Sequence, residues 1–395
     1  MSTPEVYIVS AVRTAIGSFG GALKEVPLSQ LATTAVSAAL QRSGCAAERV
    51  GHVVMGNVIP TEARDAYLGR VAAMQAGIPK ETPAFNVNRL CGSGLQAIVS
   101  AAQSLLLGDC DIAIGAGAES MSRGAYLLPG ARWGGRMGDM QAVDYMLGIL
   151  HDPFHRIHMG ITAENIAERL GISREAQDAL ALQSQQRAAR AIAEGRFAGQ
   201  IVPVEVKTRK GVQLFEVDEH VRGETSLEQL AAMKTAFKAG GTVTAGNASG
   251  LNDGAAALLM ASGAAVKSDN LRPLARLVSY AHAGVDPELM GLGPIPATRL
   301  ALQRAGLSVA DLDVIESNEA FAAQACAVAS ELDFDPAKVN PNGSGISLGH
   351  PVGASGAIIA TKAIHELHRI QGRYALATMC IGMGQGIATV IERVR

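Results

Sequence analysis

Ala39-Leu40-Gln41-Arg42-Ser43-Gly44 is echoed by Ala301-Leu302-Gln303-Arg304-Ala305-Gly306, at an offset of 301 − 39 = 262 residues. The same offset relates four further pairs, which are Val50 and Leu312, Val53 and Ile315, Ser93 and Ser355, and Gly94 and Gly356. A constant offset over this distance indicates two copies of one structural unit. The repeat decides the fold, because each copy must then bury its own apolar face against neighbouring layers.

Each copy predicts alternating helices and strands. In the first, apolar residues at helical spacing run from Leu95 to Leu106, Gly108 ends the helix, and 111–115 predicts a buried strand. The second copy predicts a helix over 358–370 and strands over 374–379 and 387–391. Alternation of this kind predicts an α/β protein with a layered sheet in each half.

The copies differ by a long insertion in the first half. The last two strands of the second copy are joined by a short turn, 381–386, whereas in the first copy 111–115 and its partner strand, 254–261, lie far apart. We therefore predict an inserted domain over about 117–250.

The predicted insert is the most polar part of the chain. It contains an amphipathic helix over 174–194, with Ser173 as N-cap and Gly195 as its end. Its basic residues either face a phosphate-bearing ligand or form a solvated surface. These residues are Arg132, Arg136, Lys207, Arg209, Lys210 and Arg222.

Composition restricts the class of protein. The 395 residues carry a formal net charge of −2, which argues against a nucleic-acid or anionic-membrane surface. Five scattered cysteines indicate reduced thiols rather than a disulfide framework. The first fourteen residues predict a strand at 6–9 and lack the features of a secretory signal, so we expect a cytoplasmic protein without a membrane span.

Cys91 stands in the glycine-rich frame Asn88-Arg89-Leu90-Cys91-Gly92-Ser93-Gly94. Gln96 follows Ser93 at capping-box spacing, so Ser93 is predicted to be the N-cap of the next helix. A thiol just before a helix N-terminus has backbone N–H groups that favour its thiolate. The alternative is a buried structural cysteine, and the glycine frame favours a nucleophile.

Three residues of the second half complete a candidate constellation. Cys380 ends a predicted strand before Gly382, whose backbone N–H is a candidate oxyanion donor if it lies near Cys91. His350 lies in a predicted glycine-rich loop, 342–356, as a candidate base. Asn318 follows a strand and is suited to hold a water. Taken singly, these residues also fit a packed cysteine, a capping histidine and an ordinary turn asparagine.

Two other patterns are weak. His151, His155 and His158 have a spacing compatible with metal binding, but Pro153 interrupts the helical face and no carboxylate or cysteine set completes a site, so no metal is predicted. The glycines at 115–117 and 382–386 lack the full dinucleotide-binding pattern.

With these residues in place, the chain resembles the thiolase family over essentially its full length. The resemblance implies two similar βαβαβαββ domains in a five-layered αβαβα arrangement, with an inserted loop domain. The implied limits are 1–118 with 251–271, 272–395, and 119–250 for the insert. The segments that carry it are 88–97, 242–254, 318–327, 349–356 and 380–386.

The resemblance also implies roles. Cys91 would take the acyl group as a thioester, His350 would activate it, and Cys380 would move the α-proton of the second acyl-CoA. One oxyanion hole would be formed by the N–H groups of Cys91 and Gly382, and the other by His350 with a water held by Asn318. The residues implied to line the coenzyme A path are His158, Met159, Arg222, Ser249, Ala320 and Phe321.

Three departures from the family pattern stand in the sequence. Met383 replaces the middle glycine after Cys380, 343–347 is Gly-Ser-Gly-Ile-Ser, and Gln229 stands where relatives carry a serine that contacts coenzyme A. The segment 123–140 resembles the one through which family members form tetramers. No cofactor other than coenzyme A thioester substrates is implied, and a homotetramer is expected.

The hypothesis from sequence is a β-ketothiolase or acetyl-CoA acetyltransferase that condenses acyl-CoA with acetyl-CoA, or cleaves 3-ketoacyl-CoA, through an acyl-cysteine. A decarboxylating ketosynthase is an alternative, which would want a second histidine in place of Cys380. The other alternative is a non-catalytic acyl-CoA or lipid-binding protein on the same scaffold. Acyl chain length and the physiological direction are left open at this stage.

Overall fold

The computed structural model describes residues 5–394, so residues 1–4 and 395 of the predicted domains lie outside it. The first half contains β1 (Val6–Thr14), β2 (Gly17–Ser18), α1 (Leu28–Ser43), β3 (His52–Gly56), α2 (Leu68–Gln75), β4 (Ala84–Val87), α3 (Ser93–Leu107) and β5 (Ile112–Ser120). The insertion contains β6 (Tyr126–Leu127), β7 (Val143–Asp144), α4 (Tyr145–Ile149), α5 (Met159–Leu170), α6 (Arg174–Ala193), β8 (Ile201–Val202), β9 (Val204–Thr208), β10 (Gly211–Phe215) and α7 (Leu227–Ala231). The rest comprises β11 (Asn252–Ser262), α8 (Gly263–Ser268), β12 (Ala275–Gly284), α9 (Pro294–Ala305), β13 (Val314–Ser317), α10 (Ala322–Glu331), α11 (Gly345–Leu348), α12 (Val352–Ile370), β14 (Tyr374–Ile381) and β15 (Gln385–Arg393).

The sequence repeat is confirmed element by element. β3 begins at residue 52 and β13 at residue 314, and 314 − 52 = 262. β5 begins at residue 112 and β14 at residue 374, again 374 − 112 = 262. After β5 the chain passes into the insertion, and it returns to the first half at β11, which pairs with β5 in antiparallel orientation. The division into three domains, with the limits given above, stays a prediction.

The strands of both halves form one continuous path, β13-β14-β15-β12-β1-β11-β5-β3-β4. The halves meet where β1 pairs with β12 over three residues, Val6–Ile8. β3 runs parallel to β4 and β5, and β13 runs parallel to β14. Chemistry-bearing residues lie where such parallel strands end, as is common in α/β proteins: Cys91 follows β4, Asn318 follows β13, and Cys380 is the next-to-last residue of β14.

Three apolar clusters fill the spaces between five layers, and the central cluster fills the space on both sides of the middle helices. The predicted αβαβα arrangement is confirmed. We call β1, β3–β5 and β11 the first sheet and β12–β15 the second sheet. The central cluster combines α3 and α12 with the inner faces of both sheets. A second cluster holds α1 and α2 against the first sheet, and a third holds α9 and α10 against the second sheet. The central helices touch closely: a Cβ on Gly356 would lie 2.3 Å from the backbone nitrogen of Leu95.

Within residues 5–394, one helical stretch, Leu90–Leu107, is long and apolar enough to cross a membrane by those criteria alone. It consists mainly of α3, the central helix that packs between the two sheets. Burial inside the protein accounts for its apolar composition without a bilayer.

The long helix of the insertion forms as predicted. The hydroxyl of Ser173 accepts the N–H of Ala176 at the start of α6, and Gly195 follows its end with φ +67°. All six basic residues of the insert named above are exposed, and three of them lie in or between β9 and β10. For these three the structure favours the solvated surface.

A buried ion pair fastens the insertion to the first half. Arg13 on β1 donates two hydrogen bonds to Asp218, at 2.7 and 2.9 Å, and a third to Gln200 at 2.8 Å. Neither side chain of the pair is exposed. The guanidinium also lies 4.8 Å from the ring centre of Phe197. Each charge is therefore compensated only by its partner and by neighbouring hydrogen bonds.

Asp218→Asn is expected to destabilise the protein by about 3–5 kcal/mol, because it leaves the Arg13 charge buried without a counter-ion. The expected observation is a lower denaturation temperature in scanning calorimetry. Asp269→Asn, which breaks the solvent-exposed pair with Arg49, is the matched control and should leave that temperature unchanged. Equal effects of the two substitutions would contradict the buried-pair argument.

Candidate active site

Cys91 lies in the turn that joins β4 to α3, where Leu90 has the unusual φ of +46°. The predicted N-cap was wrong: Gly92 is the N-cap and Ser93 is the first helical residue. The Ser93 hydroxyl accepts the N–H of Arg89 at 2.9 Å and donates to the carbonyl of Leu90 at 2.6 Å. Ser93 therefore closes the turn around Cys91 instead of capping the helix.

The Cys91 side chain has two N–H groups directed at its sulfur and is nevertheless a neutral thiol at rest. Burial raises the pKa of Cys91 to about 11, although the backbone N–H groups of Gly382 and of Cys91 itself lower it. The predicted thiolate stabilisation acts in the expected direction, but the cost of burying a charge is larger. The negative charge of Glu119 adds to the same upward shift.

Cys380 lies beside Cys91, on the other side of the Gly382 turn. It is fully buried near the end of β14. Burial is the largest cause that raises the pKa of its thiol, and the nearby Cys91 is the second. The turn brings the N–H of Gly382 to the Cys91 sulfur, which is the proximity that the sequence hypothesis required. Met383 occupies the middle of this turn with φ +68°, a conformation that glycine adopts without strain.

His350 is held with one ring nitrogen bonded and the other free. Its Nδ1 lies 2.6 Å from the Ser355 hydroxyl, which also lies 2.9 Å from the carbonyl of Pro351. If Ser355 donates to that carbonyl, it must accept Nδ1–H, and the lone pair then sits on Nε2. Nε2 is buried without a hydrogen-bond partner. Burial lowers the pKa of His350 to about 4, so the ring is neutral near pH 7 and its Nε2 lone pair is unprotonated.

The loop predicted around His350 is shorter than expected. α11 occupies 345–348, and α12 begins at Val352 rather than after Gly356. Gly353 and Gly356 lie inside the helix. At both positions neighbouring backbone comes within 3.0 Å of where a Cβ would stand, which accounts for glycine there. The short link leaves His350 next to the helix start, with its N–H donating to Asn252 Oδ1 at 2.9 Å.

Residues from both halves surround Cys91. Val352, two residues after His350, belongs to the apolar cluster that contacts Cys91 and Leu90. Asn318 is anchored by its N–H to the carbonyl of Thr378 at 3.0 Å. The Asn318 Nδ2 group is buried without a partner, like Nε2 of His350. Two unpartnered polar groups in a buried region indicate a place prepared for a ligand or water.

Most of the predicted coenzyme A contacts gather around Cys380. Met159, Ala320 and Phe321 share an apolar cluster with Cys380. Ser249 donates its N–H to the carbonyl of Ala320 at 3.0 Å. His158, the N-cap of α5, stacks on Phe237 at 4.6 Å, and Phe237 contacts Phe321 edge-on.

Arg222 and Gln229 have contacts of a different kind. The Arg222 guanidinium donates to carbonyls of its own loop, at Glu219, His220 and Val221. Gln229 completes a capping box with Ser226 at the start of α7, which accounts for a glutamine at this position.

His151, His155 and His158 do not form a metal site. His155 lies 3.1 Å from Asp152, His151 bonds to the carbonyl of Leu147, and His158 caps α5. Among residues 5–394 no group of three or more potential ligands is close enough to hold a metal ion.

Sequence reasoning missed several residues that shape the site, namely Ser355, Asn252 and Phe237. The 262-residue offset pairs Ser355 with Ser93, and both hydroxyls hold the turn before their helix. That symmetry was visible in the sequence. Asn252 and Phe237 approach the site only through tertiary contacts, so no sequence pattern pointed to them.

The alkylation rate of Cys91 in the free protein is expected to rise about tenfold per pH unit between roughly pH 6 and 9. The reason is the pair of pKa values: Cys91 ionises near 11 and His350 protonates near 4, so both groups are neutral between them. Iodoacetamide labelling, quantified on the Cys91 peptide by mass spectrometry, measures the profile. A rate that levels off below pH 8 would instead indicate a thiolate–imidazolium pair.

Comparison with known proteins agrees with this geometry. The thiolase N-terminal domain matches residues 6–264, and the thiolase C-terminal domain matches residues 271–393. Beta-ketothiolase BktB of Cupriavidus necator is 64% identical over 393 residues, covering 99% of this chain and 100% of the relative. An acetyl-CoA acetyltransferase of Chromobacterium violaceum is 51% identical over 391 residues, covering 98% and 100%.

A solved structure extends the likeness to three dimensions. Human mitochondrial 3-ketoacyl-CoA thiolase in complex with CoA superposes with a TM-score of 0.97 at 45% identity, covering 100% of this chain and 99% of that one. The two matched domains, the full-length relatives and the shared fold lead to one conclusion. This chain belongs to the thiolase family.

Proposed function

We propose that this enzyme makes and cleaves 3-ketoacyl-CoA: two acetyl-CoA, or an acyl-CoA and acetyl-CoA, give 3-ketoacyl-CoA and CoA, and thiolysis is the reverse. One observation carries the proposal. The N–H of Gly382 lies at the sulfur of Cys91, and Cys380 is near enough to Cys91 for their charges to interact. Val352 packs in the same cluster as Cys91, and two residues before it His350 has an unbonded Nε2. The names of the relatives, β-ketothiolase and acetyl-CoA acetyltransferase, support the same activity.

The protonation states suit the thiolysis direction. His350 takes the thiol proton as Cys91 attacks the 3-keto carbon, and a new carbon–sulfur bond forms. The bond between carbons 2 and 3 then breaks, and Cys380 donates its proton to the departing acetyl-CoA enolate. Incoming CoA returns a proton to Cys380 and attacks the acyl-cysteine, and His350 restores the proton of Cys91.

Negative charge that develops on oxygen has donors in the same place. The N–H groups of Cys91 and Gly382 would form one oxyanion hole. His350 gains an Nε2–H when it takes the Cys91 proton, so it becomes a donor only after the nucleophile is activated. Together with a water held by Asn318 Nδ2, it would form the second hole.

Coenzyme A thioesters would reach the sulfurs past His158, Met159, Ser249, Ala320 and Phe321, with Arg222 on the approach. No further cofactor takes part in these steps. The exposed segment 123–140 carries Trp133 and Met137, which are 87% and 97% exposed, and such apolar exposure favours association. We infer a homotetramer formed through this segment, and a cytoplasmic location consistent with five free cysteines.

The two alternatives fit less well. A decarboxylating ketosynthase would want a histidine where Cys380 lies. A non-catalytic binding protein has no use for an oriented His350 whose Nε2 is free. Both alternatives leave the relay of two thiols unexplained.

The test is to incubate the protein with acetyl-CoA, and separately with acetoacetyl-CoA plus CoA. The expected results are acetoacetyl-CoA in the first case, acetyl-CoA in the second, and one acetyl group on Cys91 in each. Malonyl-CoA should not accelerate condensation. Failure to acetylate any residue would refute the proposal, and dependence on malonyl-CoA would favour the ketosynthase.

A further inference from the structure

Glu119, near the end of β5, is a fully buried carboxylate that accepts four N–H groups. Oε1 accepts from Asn57 Nδ2 at 2.8 Å and from the Ile59 N–H at 3.0 Å. Oε2 accepts from the Val58 N–H at 3.1 Å and from the Gly353 N–H at 2.8 Å. No sequence pattern singles it out, and the mechanism above does not use it.

The four donors belong to both halves of the molecule. Val58 and Ile59 follow β3 and belong to the apolar cluster that contacts Cys91. Gly353 lies in the first turn of α12, three residues after His350. Cys91 and His350 therefore come from different halves. Glu119 connects the residues that pack beside Cys91 to the helix that follows His350.

We propose that Glu119 is a positioning residue that aligns His350 with Cys91 across the two halves. The proposal rests on the roles of Cys91 and His350 given above. Asn252 holds the backbone N–H of His350 itself, whereas Glu119 holds the helix that follows. Misplacement of a reacting group by about 1 Å reduces rates by on the order of 10²-fold, so a connection at this point affects catalysis directly.

Only a carboxylate satisfies this arrangement. Each oxygen accepts two hydrogen bonds. A glutamine would instead place its NH₂ group against two of these donors, either Asn57 and Ile59 or Val58 and Gly353. Burial raises the pKa of Glu119, while the three backbone N–H donors lower it by favouring the charged form, the only form that can accept all four hydrogen bonds. Asp253 is a further carboxylate near enough to raise it.

The experiment compares Glu119→Gln with Asp218→Asn, which lowers stability away from Cys91. For each, the acetylation rate from acetyl-CoA is divided by the amount of folded protein. Glu119→Gln should lose about 10²-fold in rate, with KM changed by less than about twofold. Asp218→Asn should keep the wild-type rate per folded molecule. Glu119→Gln should also shift the alkylation profile of Cys91 to lower pH, because a negative charge near the thiol is removed.

Two results would overturn the proposal. One is a wild-type acetylation rate per folded Glu119→Gln molecule. The other is an alkylation profile that Glu119→Gln leaves at its wild-type position. If wild-type protein failed to form acetyl-Cys91, that result would count against the proposed function. Alkylation needs no acyl-CoA chemistry, so the second measurement would still test Glu119 in that case.

Discussion

Cys91→Ala is expected to lower condensation and thiolysis by on the order of 10⁴-fold or more, and to abolish covalent acetylation of the protein. The reason is that Cys380, the neighbouring thiol, is fully buried and has a raised pKa. The N–H of Gly382 lowers the pKa of Cys91 but not that of Cys380, so Cys380 is not expected to replace Cys91 as nucleophile. Coupled assay of CoA release, together with intact-protein mass after exposure to acetyl-CoA, measures both effects.

Cys110→Ala is the matched control, because burial raises the pKa of Cys110 to about 11, as it does for Cys91. Cys110 is on the loop before β5, against Gly51, away from Gly382 and His350. Its loss should leave activity unchanged. Retained condensation in Cys91→Ala, or an equal loss in both variants, would contradict the assignment of the nucleophile.

Cys380→Ser is expected to separate the two half-reactions. Acetylation of Cys91 by acetyl-CoA needs only His350 and the backbone donors, so it should persist within about an order of magnitude. Carbon–carbon bond formation and cleavage should fall by about 10²–10⁴-fold, because a serine hydroxyl is a far poorer acid and base than a thiol. Single-turnover CoA release measures the first step, and steady-state thiolysis of acetoacetyl-CoA measures the second.

Cys326→Ser provides the control for this substitution, since burial also raises the pKa of Cys326 to about 11. Its sulfur lies near the carbonyl of Ala176 on α6, outside the Gly382 turn. Full activity is expected there. If Cys380→Ser lost acetylation and thiolysis in the same proportion, Cys380 would be supporting the fold of the site rather than moving a proton.

Much of the fold followed from local patterns. Helical spacing from Leu95 and the left-handed Gly108 define α3 without reference to the rest of the chain. The 262-residue repeat predicted two halves, and the long gap before β11 predicted the insertion. These features depend on period and on glycine conformation, which are properties of short segments.

Ser93 shows where local patterns failed. Capping-box spacing with Gln96 predicted an N-cap, but the Ser93 hydroxyl bonds backwards to Leu90 and Arg89. The backbone groups of the turn compete with the helix N–H groups for the Ser93 hydroxyl, and helix-capping propensity does not include this competition. The loop predicted to reach Gly356 was too long for a similar reason, because close packing of α12 on α3 places Gly356 inside the helix.

The amino-acid sequence alone determined the repeat, the layered α/β fold and the candidate cysteines and histidine, since each is visible as a pattern of residue types along the chain. Tertiary structure alone decided how these groups are charged and oriented. Burial makes Cys91 and His350 neutral, Ser355 leaves Nε2 free, and Glu119 connects the two halves. Desolvation and hydrogen bonds between segments hundreds of residues apart exist only once the chain has folded.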